Sequence, residues 1–321
     1  LVYLLSLVLF PCRGQVIQAY SFLRLPVHAR IMGLGGENVS EVNRDPFYAF
    51  VNPSLVGDSL RGNLAVNYLH YLADIHQASA FYAHSFQRAG TWTFGFRHVD
   101  YGDLEGYDDT GSSLGTFHSA DTEWAAATGR QAGFFRMGIA GKVIFSNLAG
   151  WRSTALAMDI GGAFLHPNER FSVGMVFRNL GVVIRDFSRN SRNRLPFDLQ
   201  IGTTYKPEHM PARFSITVNR LNRPGMVFDD PAQAEHLPPW KKAFTHLTMG
   251  AEFLVHDNIS LLAGFSGLRQ YELGRGFSAG ISFQVKGINM VLSHMAYAPG
   301  AGIWAFAVSV NTHHLWTTKT L

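Results

Sequence analysis

The residues able to do chemistry are few and badly spaced for catalysis. Gly33-x-Gly35-Gly36 superficially resembles a nucleotide fingerprint, but it lacks the final glycine and no βαβ unit follows. A tight turn is the better reading. Gly264-Phe265-Ser266-Gly267 lacks the spacing of a nucleophile elbow. The 14 histidines are scattered, no zincin pair occurs, and His313-His314 reads as a solvated end or a weak metal pair. Cys12 is the only cysteine and falls in a leader-like run, so the rest of the chain has neither disulfides nor thiolate chemistry. No convergent acid–base or nucleophile set emerges. The chain is read as a non-enzyme that needs no cofactor or catalytic metal.

Three polar segments offer recognition chemistry instead. Tyr101 to Gly115 is acidic and glycine-rich, with Tyr101, Asp103, Glu105, Tyr107, Asp108 and Asp109. Enough carboxylates are present to hold calcium, although no EF-hand or nonapeptide pattern supports that, and a loop meeting a protein partner is the other reading. Gly181 to Arg194 is basic, with Arg185, Arg189, Arg192 and Arg194 against one Asp186. Guanidinium forks match phosphate geometry, so such a loop could meet lipopolysaccharide, or simply remain solvated. The longest expected loop, Asn222 to Thr245, carries Pro231, Pro238-Pro239, Trp240 and Lys241-Lys242, and could dock a partner or fold down as a gate.

The elements that position these segments are strands. Trp304, Phe306, Val308 and Val310 alternate with Ala305, Ala307, Ser309 and Asn311. The same period of two runs through Phe277–Val285 and Leu247–Val255. Side chains on a strand point to opposite faces in turn, so each segment has a greasy face and a small or polar face. Charged residues are 16% and aromatics 13%, with 32 glycines. Low charge with many aromatics suits either lipid-facing strands or a secreted β protein. Turn signals separate strands near 62–72, 78–87, 90–101, 116–128, 134–146, 153–165, 171–180, 194–206, 213–221, 245–255, 259–268, 277–285, 288–297 and 303–312. Their connections alternate long and short, as in outer-membrane barrels. The expected fold is therefore all-β: a transmembrane outer-membrane barrel of about 14 antiparallel strands over 61–321. Glu252, Arg97 and Asp198 fall on polar strand faces, where they either line a pathway or pin a plug.

Residues 15–60 do not read as strand. Gly35-Gly36, Asp45-Pro46 and Asn52-Pro53 punctuate the segment, and a short helix around Phe47–Phe50 fits between the prolines. A barrel this wide leaves a lumen, so the segment is expected to plug it, with Gly35, Gly36, Asp45, Asn52 and Pro53 shaping the plug. Residues 1–14 read as a signal peptide without a charged n-region; a lipoprotein signal at Cys12 is the alternative. The net charge of +4 is mild and no basic–aromatic cluster points to nucleic acid.

Tyr20-Ser21-Phe22-Leu23-Arg24-Leu25-Pro26-Val27-x-Ala29-Arg30, followed by Leu34-Gly35-Gly36-x-Asn38-Val39-Ser40, resembles the amino-terminal signature of the PorQ family. Asn52-Pro53-Ser54-Leu55, Asp100 to Asp108 and Arg194-Leu195-Pro196-Phe197-Asp198 are also similar. PorQ proteins are outer-membrane components of the type IX secretion system of Bacteroidota, related to PorV and to FadL-type long-chain fatty-acid transporters. Ser54 replaces the usual alanine and His28 a usual small residue. The resemblance implies a barrel whose surface loops anchor a PorZ-like protein within an attachment complex that includes PorU and PorV and couples cargo to lipopolysaccharide. The alternative is a FadL-like transporter of hydrophobic small molecules. It would need an apolar route past the plug and a lateral opening between strands.

Overall fold

In a computed structural model, the described residues are 19–72, 74–223, 238–273, 275–298 and 301–312. The expected leader at 1–14, His313-His314 and much of the 222–245 loop, Pro231 included, lie outside them.

Strands β1 (Asn63–His70), β2 (His76–Phe86), β3 (Gly90–Tyr107), β4 (Ser113–Ala132), β5 (Phe135–Leu148), β6 (Trp151–Leu165) and β7 (Phe171–Arg185) form one half of the sheet. The other half is β8 (Asp198–Tyr205), β9 (Ala212–Val218), β10 (Leu247–His256), β11 (Ile259–Ser266), β12 (Phe277–Val285), β13 (Ile288–Ala298) and β14 (Ala301–Asn311). Each pairs antiparallel with its sequence neighbour, and β1 pairs with β14 from Asn63–Asn311 to His70–Trp304. The ring is closed, so no edge runs its length and ladder hydrogen bonds join every neighbouring pair, as hydrocarbon demands. Among the described residues no helix is long and apolar enough to cross a membrane.

The period of two sorts the faces. On β1, Val66, Tyr68 and His70 are exposed while Ala65, Asn67 and Leu69 are buried. On β14, Trp304 and Phe306 are exposed and Ala305 and Ala307 buried. The outside is thus an apolar belt, and the inside is small or polar.

Every strand expected from the sequence exists, but two expected loops are partly strand. The acidic stretch from Tyr101 to Gly115 is not a loop: β3 and β4 continue through it, with Asp103 opposite His118 and Tyr107 opposite Ser113. Its glycines suggested turns, yet Gly102 and Gly115 adopt positive φ within the hairpin arms, and only 108–112 turns back. The basic segment is likewise shorter as a loop, because β7 keeps pairing with β6 up to Arg185–Thr154.

Residues 19–60 form short pieces inside the ring. They are 3₁₀ turns at Ser21–Arg24, Pro46–Phe50, Pro53–Leu55 and Asp58–Leu60, and a helix α1 at Ala29–Gly33. Helices α2 (Pro239–Thr245) and α3 (Gly267–Leu273) sit in two of the long connections. Phe22, Leu23, Ile31, Met32, Phe47 and Tyr48 are fully buried. At about 1.5–3 kcal/mol for each large apolar side chain, this contact is substantial.

Candidate functional site

The inner segment is seated on wall glycines. A Cβ on Gly138 would lie 2.2 Å from the Pro53 carbonyl oxygen, and one on Gly161 would lie 1.9 Å from Asn52 Oδ1. Gly174 stands in the same relation to the Val39 carbonyl and Gly264 to the Gly35 amide, each at 2.1 Å. These glycines let the segment's backbone, and at Gly161 the Asn52 side chain, approach the wall, which any side chain would prevent. Asn52 caps the Pro53–Leu55 turn: its Oδ1 accepts from Ser54 N at 3.1 Å, and its Nδ2 donates to the Val39 carbonyl at 2.8 Å. Gly35 and Gly36 both sit at φ +100, where only glycine is at ease.

Charged side chains then join the segment to the wall. Glu41 Oε1 accepts from Arg30 Nη2 at 2.8 Å and from Arg213 Nη1 on β9 at 3.0 Å. Its Oε2 accepts from the Tyr48 hydroxyl at 2.5 Å and Asn38 Nδ2 at 3.1 Å. Glu252 on β10 closes the group, 2.7 Å from Arg30 and 2.8 Å from Arg213. Burial alone would raise the Glu41 carboxyl, but Arg30 and Arg213 overcome it and hold the group at about 2. A second group runs along the inner wall from β3 to β7 and meets the segment at both ends. Arg97 bonds Glu123 and donates to the Phe22 carbonyl at 3.3 Å, Lys142 pairs with Asp159 at 2.6 Å, and Arg178 meets Glu37 at 3.2 Å. Asp198 instead accepts from Arg220 N at 2.8 Å, on the wall side of the long connections.

His28 and Asp45 differ from these pairs. They are 3.9 Å apart and fully buried, and His28 Nε2 and both Asp45 carboxyl oxygens lack a hydrogen bond. Burial pushes the Asp45 carboxyl up to about 6; Ser309 and the Phe47 amide restrain it only partly and complete no hydrogen bond. Burial, with Arg30 nearby, drives the His28 imidazole well below its usual range.

Outside the ring, at β1–β5, lies an apolar groove of about 490 Å³. Its floor is small, with Ala80, Ala126 and Gly141, and its rim is aromatic, with Tyr82, Phe94, Phe96 and Trp124. The wall behind it is thin because Gly95 and Ala125 face inward with almost no side chain. The ring of Phe50, from the inner segment, fills that gap; a Cβ on Gly95 would lie 2.6 Å from it. On the inner side a second space shares Phe81, Gly95, Phe96 and Ala125 with the groove, yet has only about 10 Å³. That is room for about one water. The groove therefore ends at an unbroken stretch of sheet, backed on the inside by the Phe50 ring.

The residues expected to meet a partner lie either near the ends of β3 and β7 or on the connections that leave odd strands, hence towards one end of the barrel. Tyr101 turns inward and donates to Asp121 at 2.6 Å, so it belongs to the wall. Tyr107 donates to Glu105 at 2.6 Å, and Asp103 lies 3.3 Å from His118 Nδ1. Asp108 Oδ1 accepts from the Thr110 hydroxyl, Ser112 N and Thr110 N, which builds the tight turn and holds its carboxyl below the usual range, while Asp109 is exposed. Among the described residues no group of three or more acidic, histidine or cysteine side chains is arranged to hold a metal ion. Arg185, Arg189 and Arg192 are exposed. Trp240 is 66% exposed on α2 with the Lys241 ammonium 5.6 Å from its ring centre.

The groove and the glycine seats were not anticipated from sequence. Gly138, Gly161, Gly174 and Gly264 each stand on the inward face of a strand, and that regularity was the only signal available.

No family model matches the chain, and no curated protein matches it in sequence. Solved structures do share its fold. The toluene transporter TbuX of Ralstonia pickettii is 12% identical with a TM-score of 0.53, covering 90% of this chain and 99% of its own. A mutant of TodX, a monoaromatic hydrocarbon channel, is 11% identical with a TM-score of 0.52, covering 89% and 98%. The chain thus shares the closed, fourteen-stranded antiparallel barrel fold of these two proteins.

Proposed function

We propose that this barrel resides in a bacterial outer membrane, long connections outward, and passes a small hydrophobic molecule through its wall. Residues 15–60 serve as the plug and 61–321 as the barrel. The observation that carries this reading is the apolar groove backed at Gly95 by the Phe50 ring. Apolar pockets of a few hundred Å³ are the usual size for small ligands, and this one, at about 490 Å³, is bordered by four aromatic rings. A molecule dissolved in the bilayer reaches it without leaving hydrocarbon. Passage to the lumen would need strands β2–β4 to part at Gly95 as well as the Phe50 ring to move. The named cargoes of two barrels with this fold, toluene and monoaromatic hydrocarbons, supply the ligand class for this proposal. Trp124 on the rim supplies the test. Purified barrel titrated with toluene should show a saturable change in Trp124 fluorescence that disappears in Trp124→Phe. Gly141→Phe, which projects into open space on the groove floor, should abolish saturation. A linear, non-saturating response in the unaltered protein contradicts the proposal.

A second reading is favoured by the β3–β4 hairpin. The β2 ladder ends at Asp100 and the β5 ladder at Ala120, so the hairpin projects beyond its neighbours with Tyr107 and Leu114 about 60% exposed. Together with the likeness to PorQ proteins, this suits an anchor for a PorZ-like surface protein alongside PorU and PorV. Mild-detergent isolation from native membranes discriminates the two. A near-stoichiometric surface protein, lost when 103–117 is replaced by a short turn, favours anchoring; a barrel isolated alone with bound hydrocarbon favours transport.

A further inference from the structure

A short turn sets the register of the β1–β2 hairpin: Tyr71 N donates to the Ile75 carbonyl at 2.8 Å, and His70 stands directly opposite His76. Both histidines belong to the outward row, with Val66 and Tyr68 on β1. Their Nδ1 atoms are 3.2 Å apart, and the Tyr68 hydroxyl lies 2.7 Å from His76 Nδ1. A ring nitrogen carries either one lone pair or one proton. His76 Nδ1 therefore cannot complete a full hydrogen bond to both partners in any tautomer. The ring centres are 4.9 Å apart, farther than the nitrogens, so the two Nδ1 edges face each other.

We infer that His70 Nδ1 and His76 Nδ1, with the Tyr68 hydroxyl as a third donor, bind one divalent transition-metal ion of the Zn²⁺ or Cu²⁺ kind. At a metal–nitrogen distance of about 2.0–2.1 Å, nitrogens 3.2 Å apart subtend roughly 100° at the ion, near the tetrahedral angle. Rings aimed at such an ion would have centres about 5 Å apart, which matches the 4.9 Å found. Imidazole suits these ions, whereas calcium and magnesium demand oxygen ligands. The remaining positions on the ion fall to water. His70 pairs with Trp304 on its other side and His76 with Asp100, whose carboxylate is 3.5 Å from the exposed His118. That polar row marks the edge of the apolar belt, within reach of water. A bound ion would tie β2 to β1, the strand that closes the ring on β14. The inference needs neither functional reading, and the groove lies farther along the same strands, at Leu64, Ala80 and Tyr82.

The test uses the full-length barrel without a histidine tag, in mild detergent, with Cu²⁺ and Zn²⁺ as probes. One Cu²⁺ per barrel is expected, with two imidazole nitrogens on the ion in its electron paramagnetic resonance spectrum, and Zn²⁺ should compete for the site. His70→Ala and His76→Gln should each weaken binding by about tenfold or more and leave one imidazole in the spectrum. Tyr68→Phe should weaken it by a smaller factor with both imidazoles retained. His118→Ala, and His313→Ala with His314→Ala, should leave binding unchanged. Heat-modifiable gel migration confirms that each variant folds. Three results overturn the inference: no saturation up to about 1 mM Cu²⁺, unchanged binding in both His70→Ala and His76→Gln, or loss of binding in the His118 or His313–His314 variants. The last would place the ion elsewhere on the chain.

Discussion

Glu41→Gln is the perturbation that tests most sharply how the inner segment is held. Two carboxylate oxygens accept from Arg30 Nε and Nη2, Arg213, Asn43, Tyr48 and Asn38, at 2.5 to 3.3 Å. Glutamine keeps one acceptor oxygen and turns an amide against groups that are themselves donors. Asn38 cannot reverse its amide to compensate, because its Oδ1 already accepts from Ser40 N and Glu41 N. Two guanidinium groups would then share one carboxylate, Glu252. Removing one member of a buried ion pair costs about 3–5 kcal/mol, and the surviving Glu252 argues for about 3. That free energy corresponds to about a hundredfold rise in the open population of the segment. Amide hydrogen exchange over 29–56, in nanodiscs at neutral pH, should accelerate by that factor while β10–β14 stay protected. Adding Arg30→Met should recover part of the loss, since it removes the uncompensated cation. The pH sign follows from the low Glu41 value: its contribution is complete above about 4.5 and is lost as pH falls towards about 2. Exchange in Glu41→Gln within about threefold of the unaltered protein at neutral pH would refute the reasoning.

Other predictions rest on single contacts. Asp45 is a buried carboxyl raised from 3.8 to about 6, so the folded protein loses stability as pH rises through that window, by at most about 3 kcal/mol. Asp45→Asn should remove that decline, seen as a urea midpoint that no longer falls between pH 4.5 and 7; an unchanged decline contradicts it. Gly138→Ala places a methyl 2.2 Å from the Pro53 carbonyl, and should destabilise by about 1–3 kcal/mol in the same assay. Gly95→Ala should clash with Phe50, and Phe50→Ala should relieve it, giving a coupling of about 0.5–3 kcal/mol in a double-mutant cycle. Simple additivity of the two would place Phe50 elsewhere.

The barrel was legible because alternation is a local property. Trp304 to Asn311 declares its two faces without reference to any other strand. The 101–115 hairpin was misread for the same local reason, since glycines and acids mark turns in isolation and only pairing across the hairpin shows them to be strand. The groove could not be read at all. It needs Leu64, Tyr82, Phe94, Trp124 and Gly141, from five strands, to meet on one patch. The glycine seats lie between: their inward placement follows from alternation, but the Pro53 and Val39 carbonyls that require them belong to a segment with no regular period.

The most direct measurement of the central claim is toluene uptake by cells with an intact lipopolysaccharide outer membrane. The account predicts faster uptake when this barrel is present and a return to background with Gly141→Phe at equal surface expression. Uptake no faster than in cells lacking the barrel would contradict it and leave the anchoring role as the function to pursue.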